Sequence, residues 1–128
     1  MENPLSSKIL VIEDNQDTLE LLHLYFTNVG YTVVTAVDGA EGLYRAKAEK
    51  PDVIITDLSM PNMDGLEMLK QIRSDAETAH IPIAVFTAHG KETLDTLKTA
   101  GADKVFLKPF DFDELATAIR VIVHQKNK

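Results

Sequence analysis

The feature that most constrains this chain is an alternation. Five short apolar, largely β-branched runs, at residues 8–12 (KILVI), 32–36 (TVVTA), 52–56 (DVIIT), 82–86 (PIAVF) and 104–107 (KVFL), are each followed by a helical pattern. The runs at 8–12 and 52–56 are apolar at odd and even positions alike, as a parallel strand covered on both faces must be. Between the runs, Leu22, Tyr25, Phe26 and Val29 follow i, i+3, i+4, i+7, and Gly30 stands where a glycine ends a helix. Leu115, Ala118, Ile119 and Ile122 repeat that spacing, with Asp111 and Glu114 placed as a capping box. Leu66, Leu69 and Ile72 mark a helix after Gly65, and Leu43 and Ala46 a shorter one after Gly39. The window 91–100 offers only Leu94, Leu97 and Ala100, so its helix is expected to be the least firmly docked, and the tail 124–128 reads as frayed and solvated.

Five βα units in succession predict an α/β fold: a five-stranded parallel sheet with right-handed crossovers, flanked by five helices on both faces. The common strand order for five such units is 2-1-3-4-5, a regularity of doubly wound, flavodoxin-like sheets that is adopted here and does not follow from these residues alone. The 128 residues suit a single domain, 1–128 with a core at about 7–125, and 45% hydrophobic content is enough to fill a core. Thirteen basic against twenty acidic residues give a net charge of −7, which argues against nucleic acid or an anionic membrane as the main partner. The absence of cysteine excludes a disulfide scaffold, an iron–sulfur site, a thiolate zinc site and a cysteine nucleophile. Neither a leader-like N-terminus nor a run of about 18 apolar residues is present, so a cytoplasmic domain is expected.

What ends each run carries the chemistry. The first run ends in Glu13-Asp14, the third in Thr56-Asp57, the fourth in Thr87 and the fifth in Lys108-Pro109. Ligands of open parallel sheets bind beyond the carboxyl ends of the strands, where the strand order reverses. In the order 2-1-3-4-5 this brings Glu13, Asp14 and Asp57 together, with Thr87 and Lys108 to one side. Taken singly, an acidic pair after a strand is an ordinary solvated turn, and a Thr or Lys at a strand end says little. The conjunction is more specific, because four strands deliver polar groups of complementary sign to one rim. Two like charges 4 Å apart cost about 4 kcal/mol at an effective dielectric of 20. A hard divalent cation removes that cost, and oxygen donors of this kind favour Mg²⁺. With a hydroxyl and an ammonium beside them, these residues could serve phosphoryl transfer, with Asp57, the most central carboxylate, as nucleophile.

The segments KILVIEDN, DVIITDLSMPNMDG, PIAVFTA and GADKVFLKPF together resemble the receiver domain of two-component response regulators, over roughly residues 7–125. The size is similar to single-domain, chemotaxis-type regulators. The resemblance implies that Asp57 is the phosphoacceptor, that Asp14 ligates Mg²⁺ directly with Glu13 acting through water, and that the Ser59 carbonyl completes the protein ligands. It further implies that the Thr87 hydroxyl and Lys108 contact the phosphoryl group, that Ala88 leaves access to the aspartate, and that the Lys108–Pro109 bond is cis. The implied donor is a phosphohistidine on a sensor histidine kinase or histidine phosphotransfer protein. The implied output is altered binding of a protein partner at the face formed by the fourth helix, fifth strand and fifth helix.

One position departs from that pattern: where the family carries a Tyr or Phe three residues before the lysine, this chain has Val105, and Phe106 beside it should face the other way. His89 and Ser59 stand where the family tunes the lifetime of the phosphoryl group. His23, His80 and His124 lack ligand spacing and read as surface residues, while Met60, Met63 and Met68 read as packing around the Asp57 loop. The chain is expected to accept and lose phosphate without acting as an enzyme on a separate substrate. A phosphatase of the haloacid-dehalogenase type would need a second Asp at position 59, which is Ser, and a flavin carrier would need a phosphate loop where Glu13-Asp14 stand. The same residues also suit a receiver module cut from a larger hybrid kinase or multidomain regulator.

Overall fold

A computed structural model describes residues 7–58, 63, 65–88 and 91–126. Ser59, Met60 and His89 lie outside the described residues. Each apolar run forms a strand: β1 (Lys8–Ile12), β2 (Thr32–Ala36), β3 (Val53–Asp57), β4 (Ile83–Thr87) and β5 (Lys104–Leu107). They alternate with α1 (Gln16–Val29), α2 (Gly39–Glu49), α3 (Gly65–Ser74), α4 (Lys91–Ala100) and α5 (Phe112–Lys126). All pairings are parallel, and the order is β2-β1-β3-β4-β5.

β3 and β4 each sit one residue later than their apolar runs. Asp52 leaves the strand because its carboxylate accepts the Lys8 amide at 2.8 Å, which pins the start of β1. Pro82 has no amide proton to give and contributes only its carbonyl, to Ile54 N–H at 2.9 Å. Asp57 thereby becomes the last residue of β3 and Thr87 the last of β4.

Side-chain parity divides the core into two layers. Ile9, Val11, Val53, Ile55, Ala84 and Phe86 pack with Leu19, Leu22 and Phe26 of α1 and Leu115, Ile119, Ile122 and Val123 of α5. Leu10, Ile12, Ile54, Ile83 and Val85 pack on the other face with Ala46 of α2, Met68, Leu69 and Ile72 of α3, and Leu97 of α4. Val105 joins the second layer and Phe106 the first, so the two neighbours do face opposite ways. A fully buried Leu, Ile or Phe is worth about 1.5–3 kcal/mol. α1 buries three such side chains and α4, among its described side chains, only Leu97.

Local signals account for the helix ends. Asn15 Oδ1 accepts Thr18 N–H at 3.0 Å, and Gly30 (φ 123°) ends α1 by donating its amide to the Phe26 and Thr27 carbonyls. Asp38 accepts Glu41 N–H at 2.8 Å while Glu41 Oε1 accepts Val37 N–H at 2.8 Å. Asp111 caps α5, but its Oδ1 takes the amide of Asp113 at 2.8 Å and not that of Glu114, one residue short of the expected box. The tail is solvated as expected at His124 and Gln125 but is not frayed there: α5 continues through Lys126, because Ile122 and Val123 still anchor it to the core. Among the described residues no helix is long and apolar enough to cross a membrane.

Candidate functional site

Register and parity bring the site together. β1 pairs Ile12 with Thr56, and β3 pairs Asp57 with Phe86, which β4 pairs in turn with Phe106. One residue past Ile12, Glu13 reaches the same row. Glu13 and Asp57 continue the odd-numbered positions of β1 and β3, and Phe86 the even-numbered positions of β4, that face α1 and α5. Acid groups 44 positions apart in the chain therefore emerge side by side at the carboxyl rim.

Carboxylate oxygens of Glu13, Asp14 and Asp57 lie within 4.8 Å of one another. Asp14 is exposed, whereas Glu13 and Asp57 are buried, at 1% and 6% exposure. Asp57 Oδ1 accepts the Leu58 amide at 2.7 Å, and Oδ2 lies 3.4 Å from Lys108 Nζ. Glu13 Oε2 accepts the Asn15 amide at 2.9 Å, while its Oε1 is buried with no hydrogen-bond partner among the described residues. Burial pushes the Glu13 carboxyl up to about 7; the Asn15 amide opposes this, the Asp57 charge and the neighbouring Asp14 carboxyl add to it, and Lys108 lowers it. A buried carboxylate with an orphaned oxygen beside two more acids suits a hard, oxygen-loving cation.

Lys108 crosses to Asp57 from the end of β5. Its amide donates to the Thr87 carbonyl at 2.8 Å, its bond to Pro109 is cis, and its Nζ lies 5.3 Å from the centre of the Phe86 ring. Thr87 is 1% exposed and ends β4 beside this group. Glu13, Asp14, Asp57, Thr87 and Lys108 are thus all delivered to one rim, as their strand-end positions predict. His23, His80 and His124 are exposed on other parts of the surface, Met68 lies in the core, and Met63 packs against it.

Two further residues of this rim have roles that their place in the sequence does not reveal. Gly65 donates its amide to the Leu58 carbonyl at 2.6 Å, and a Cβ there would come within 2.7 Å of Leu58 Cα and 2.8 Å of the Asp57 carbonyl. Only glycine lets α3 begin against the strand end that presents Asp57. The other is Phe86, which as the fifth letter of an apolar run reads simply as core.

The sequence profile described as the response regulator receiver domain matches residues 9–120. The chain is 36% identical over 122 residues to the alkaline phosphatase synthesis transcriptional regulatory protein PhoP of Bacillus subtilis (strain 168), covering 94% of this chain and 50% of PhoP. It spans about half the length of the curated relatives it matches. Among solved structures, the receiver domain of Francisella response regulator 1452 superposes with a TM-score of 0.88 at 27% identity, covering 94% of this chain and 98% of that one. The receiver domain of the sensor histidine kinase PA1611 of Pseudomonas aeruginosa PAO1 superposes with a TM-score of 0.86 at 25% identity over 93% and 98% of the two chains, and that structure has a magnesium ion coordinated in its active-site cleft.

Proposed function

This chain belongs to the response regulator receiver family, and from that premise we propose that it accepts a phosphoryl group on Asp57 from the phosphohistidine of a sensor kinase or phosphotransfer protein. The observation that carries the reading is the convergence of Glu13, Asp14 and Asp57 within 4.8 Å, with Lys108 Nζ 3.4 Å from the Asp57 carboxylate. A carboxylate oxygen of Asp57 attacks the donor phosphorus, the O–P bond forms as the N–P bond breaks, and the imidazole leaves with the electron pair and takes a proton from solvent. The Leu58 amide and the Lys108 ammonium hold the carboxylate in place, and Lys108 and the Thr87 hydroxyl meet the charge on the transferred group.

Glu13 and Asp14, with Asp57, are the residues that would hold Mg²⁺. When bound, the ion supplies charge neutralisation to the acid cluster and to the phosphoryl oxygens. The Ser59 carbonyl, which the resemblance implies as the last protein ligand, lies outside the described residues.

In this reading the chain is not an enzyme for a separate substrate. Its product is its own altered state, read by a protein partner at α4, β5 and α5. The shallow docking of α4 favours that face, since an element held by one described buried side chain is displaced at low cost.

The test is incubation with acetyl phosphate and Mg²⁺, read by intact mass. A single phosphoryl adduct that requires the cation and disappears in Asp57→Asn is expected. An adduct that survives Asp57→Asn, or steady phosphate release from an added phosphomonoester, would overturn the reading.

A further inference from the structure

We propose that Phe86 is a positioning residue for phosphoryl acceptance: the face of its ring holds the Lys108 ammonium beside Asp57. The inference rests on the reading of Asp57 as the acceptor and adds a residue to its machinery.

Lysine carries its charge on four rotatable bonds, and the Lys108 side chain is 36% exposed. Left to itself, that charge would sample solvent. Here Nζ stands 5.3 Å from the centre of the Phe86 ring and 3.4 Å from Asp57 Oδ2 at once. The two contacts belong together because Asp57 and Phe86 are register partners on adjacent strands. An aromatic face attracts an ammonium through its quadrupole but has no lone pair to accept its protons. It therefore restrains Lys108 without using up the N–H donors that Asp57 and a phosphoryl oxygen need. A second carboxylate in that place would compete for those donors and add to the repulsion among the acids.

The ring is itself fixed. Phe86 is fully buried, and Phe110 lies against it at 5.3 Å with a 46° tilt. Phe110 stacks on Phe112 at 5.8 Å, and Phe112 meets Tyr25 edge-on at 5.4 Å. Burial and the contact with Phe110, itself backed by Phe112, restrict the rotation of Phe86 and so favour keeping its face under the ammonium. An aliphatic residue would fill the core as well but would offer no such face.

The experiment replaces Phe86 by 4-fluoro-, 3,5-difluoro- and 3,4,5-trifluorophenylalanine, which keep the ring's shape and weaken its quadrupole in steps, and adds Phe86→Leu. Adduct formation from acetyl phosphate with Mg²⁺ should slow progressively along the series, reaching about three- to tenfold in Phe86→Leu, the lower part of the range open to a cation–π contact. The fluorinated series decides the matter if Phe86→Leu does not fold. In protein without phosphodonor, the Lys108 ε-methylene protons should show an upfield ring-current shift that Phe86→Leu abolishes. Equal rates across the fluorinated series, or an ordinary Lys108 shift in the parent protein, would overturn the proposal. Absence of any adduct on Asp57 in the parent protein would instead sink the function reading, while the Lys108 shift still reports on the contact.

Discussion

The two ends of the sheet treat charge in opposite ways. At the amino-terminal edge, Arg73 is surrounded by acceptors: its guanidinium donates to the carbonyls of Ala79 (2.9 Å), Ile81 (2.7 Å) and Gly101 (2.9 and 3.1 Å) and to Asp103 Oδ2 (2.9 Å). Asp103 Oδ2 also accepts the Ile83 amide at 2.8 Å, so one ion pair ties the end of α3 to the starts of β4 and β5. At the carboxyl-terminal rim three acids crowd together, one of them buried with an oxygen that no described residue satisfies. The first arrangement is a completed network, which rigidifies a fold. The second is a deficit that no described residue fills. The contrast separates charge that is paired within the fold from charge whose arrangement suits a hard cation.

The largest effect should come from dismantling the completed network. Arg73→Ala leaves the Ala79, Ile81 and Gly101 carbonyls without their donor and should cost roughly 3 kcal/mol in denaturant unfolding, most of it from those lost hydrogen bonds and little from the exposed pair with Asp103. A loss under about 1 kcal/mol would mean that the amino-terminal edge is not held in this way. Glu13→Gln should move in the other direction. Without divalent cation at pH 8 it should stabilise the protein by about 2 kcal/mol, since it removes a buried charge held at a cost, while weakening Mg²⁺ binding. Destabilisation under those conditions would mean that the acid rim is as well compensated as the other end.

The pH dependence sharpens the same point. The folded Glu13 carboxyl titrates near 7, above its ordinary value of 4.5. Its contribution to stability is therefore fully present below about pH 4.5 and is lost as the pH rises through about 7. The stability gap between the parent and Glu13→Gln should be small at pH 4.5 and open by pH 8 in metal-free protein, and Mg²⁺ affinity should fall as the pH drops below 7. The smallest effect concerns α4, whose amides should exchange with solvent faster than those of α1, which buries Leu19, Leu22 and Phe26. Equal protection of the two helices would remove the basis for treating α4 as the readily displaced element.

Several of these features could be read in advance, and for a definite reason. A strand covered on both faces must be apolar at both parities, and a helix laid on it must repeat near 3.6, so β1, β3, α1 and α5 declare themselves in short windows. Glu13, Asp14, Asp57, Thr87 and Lys108 were legible because each is a polar group at the end of such a run. Gly65, Phe86 and Arg73 were not. Gly65 matters through atoms of Leu58 and Asp57, Phe86 through an ammonium 22 positions further on, and Arg73 through carbonyls beyond its own helix. A local window shows them as a helix start, a core residue and a terminal cation. Residues 124–126 read as frayed because they are polar in themselves, while Ile122 and Val123 just before them hold the helix down.

By itself the sequence determined the number and kind of elements, the two-sided burial of the sheet and the identity of the polar groups at its rim, because periodicity and polarity are properties of neighbouring residues. Only the tertiary structure decided that Glu13, Asp57 and Phe86 share one face and one register row, that Lys108 reaches both Asp57 and an aromatic ring, and that Arg73 closes the opposite edge. Those facts are distances between side chains on different strands and helices. They are set by strand register and by which face each residue occupies once the sheet has formed.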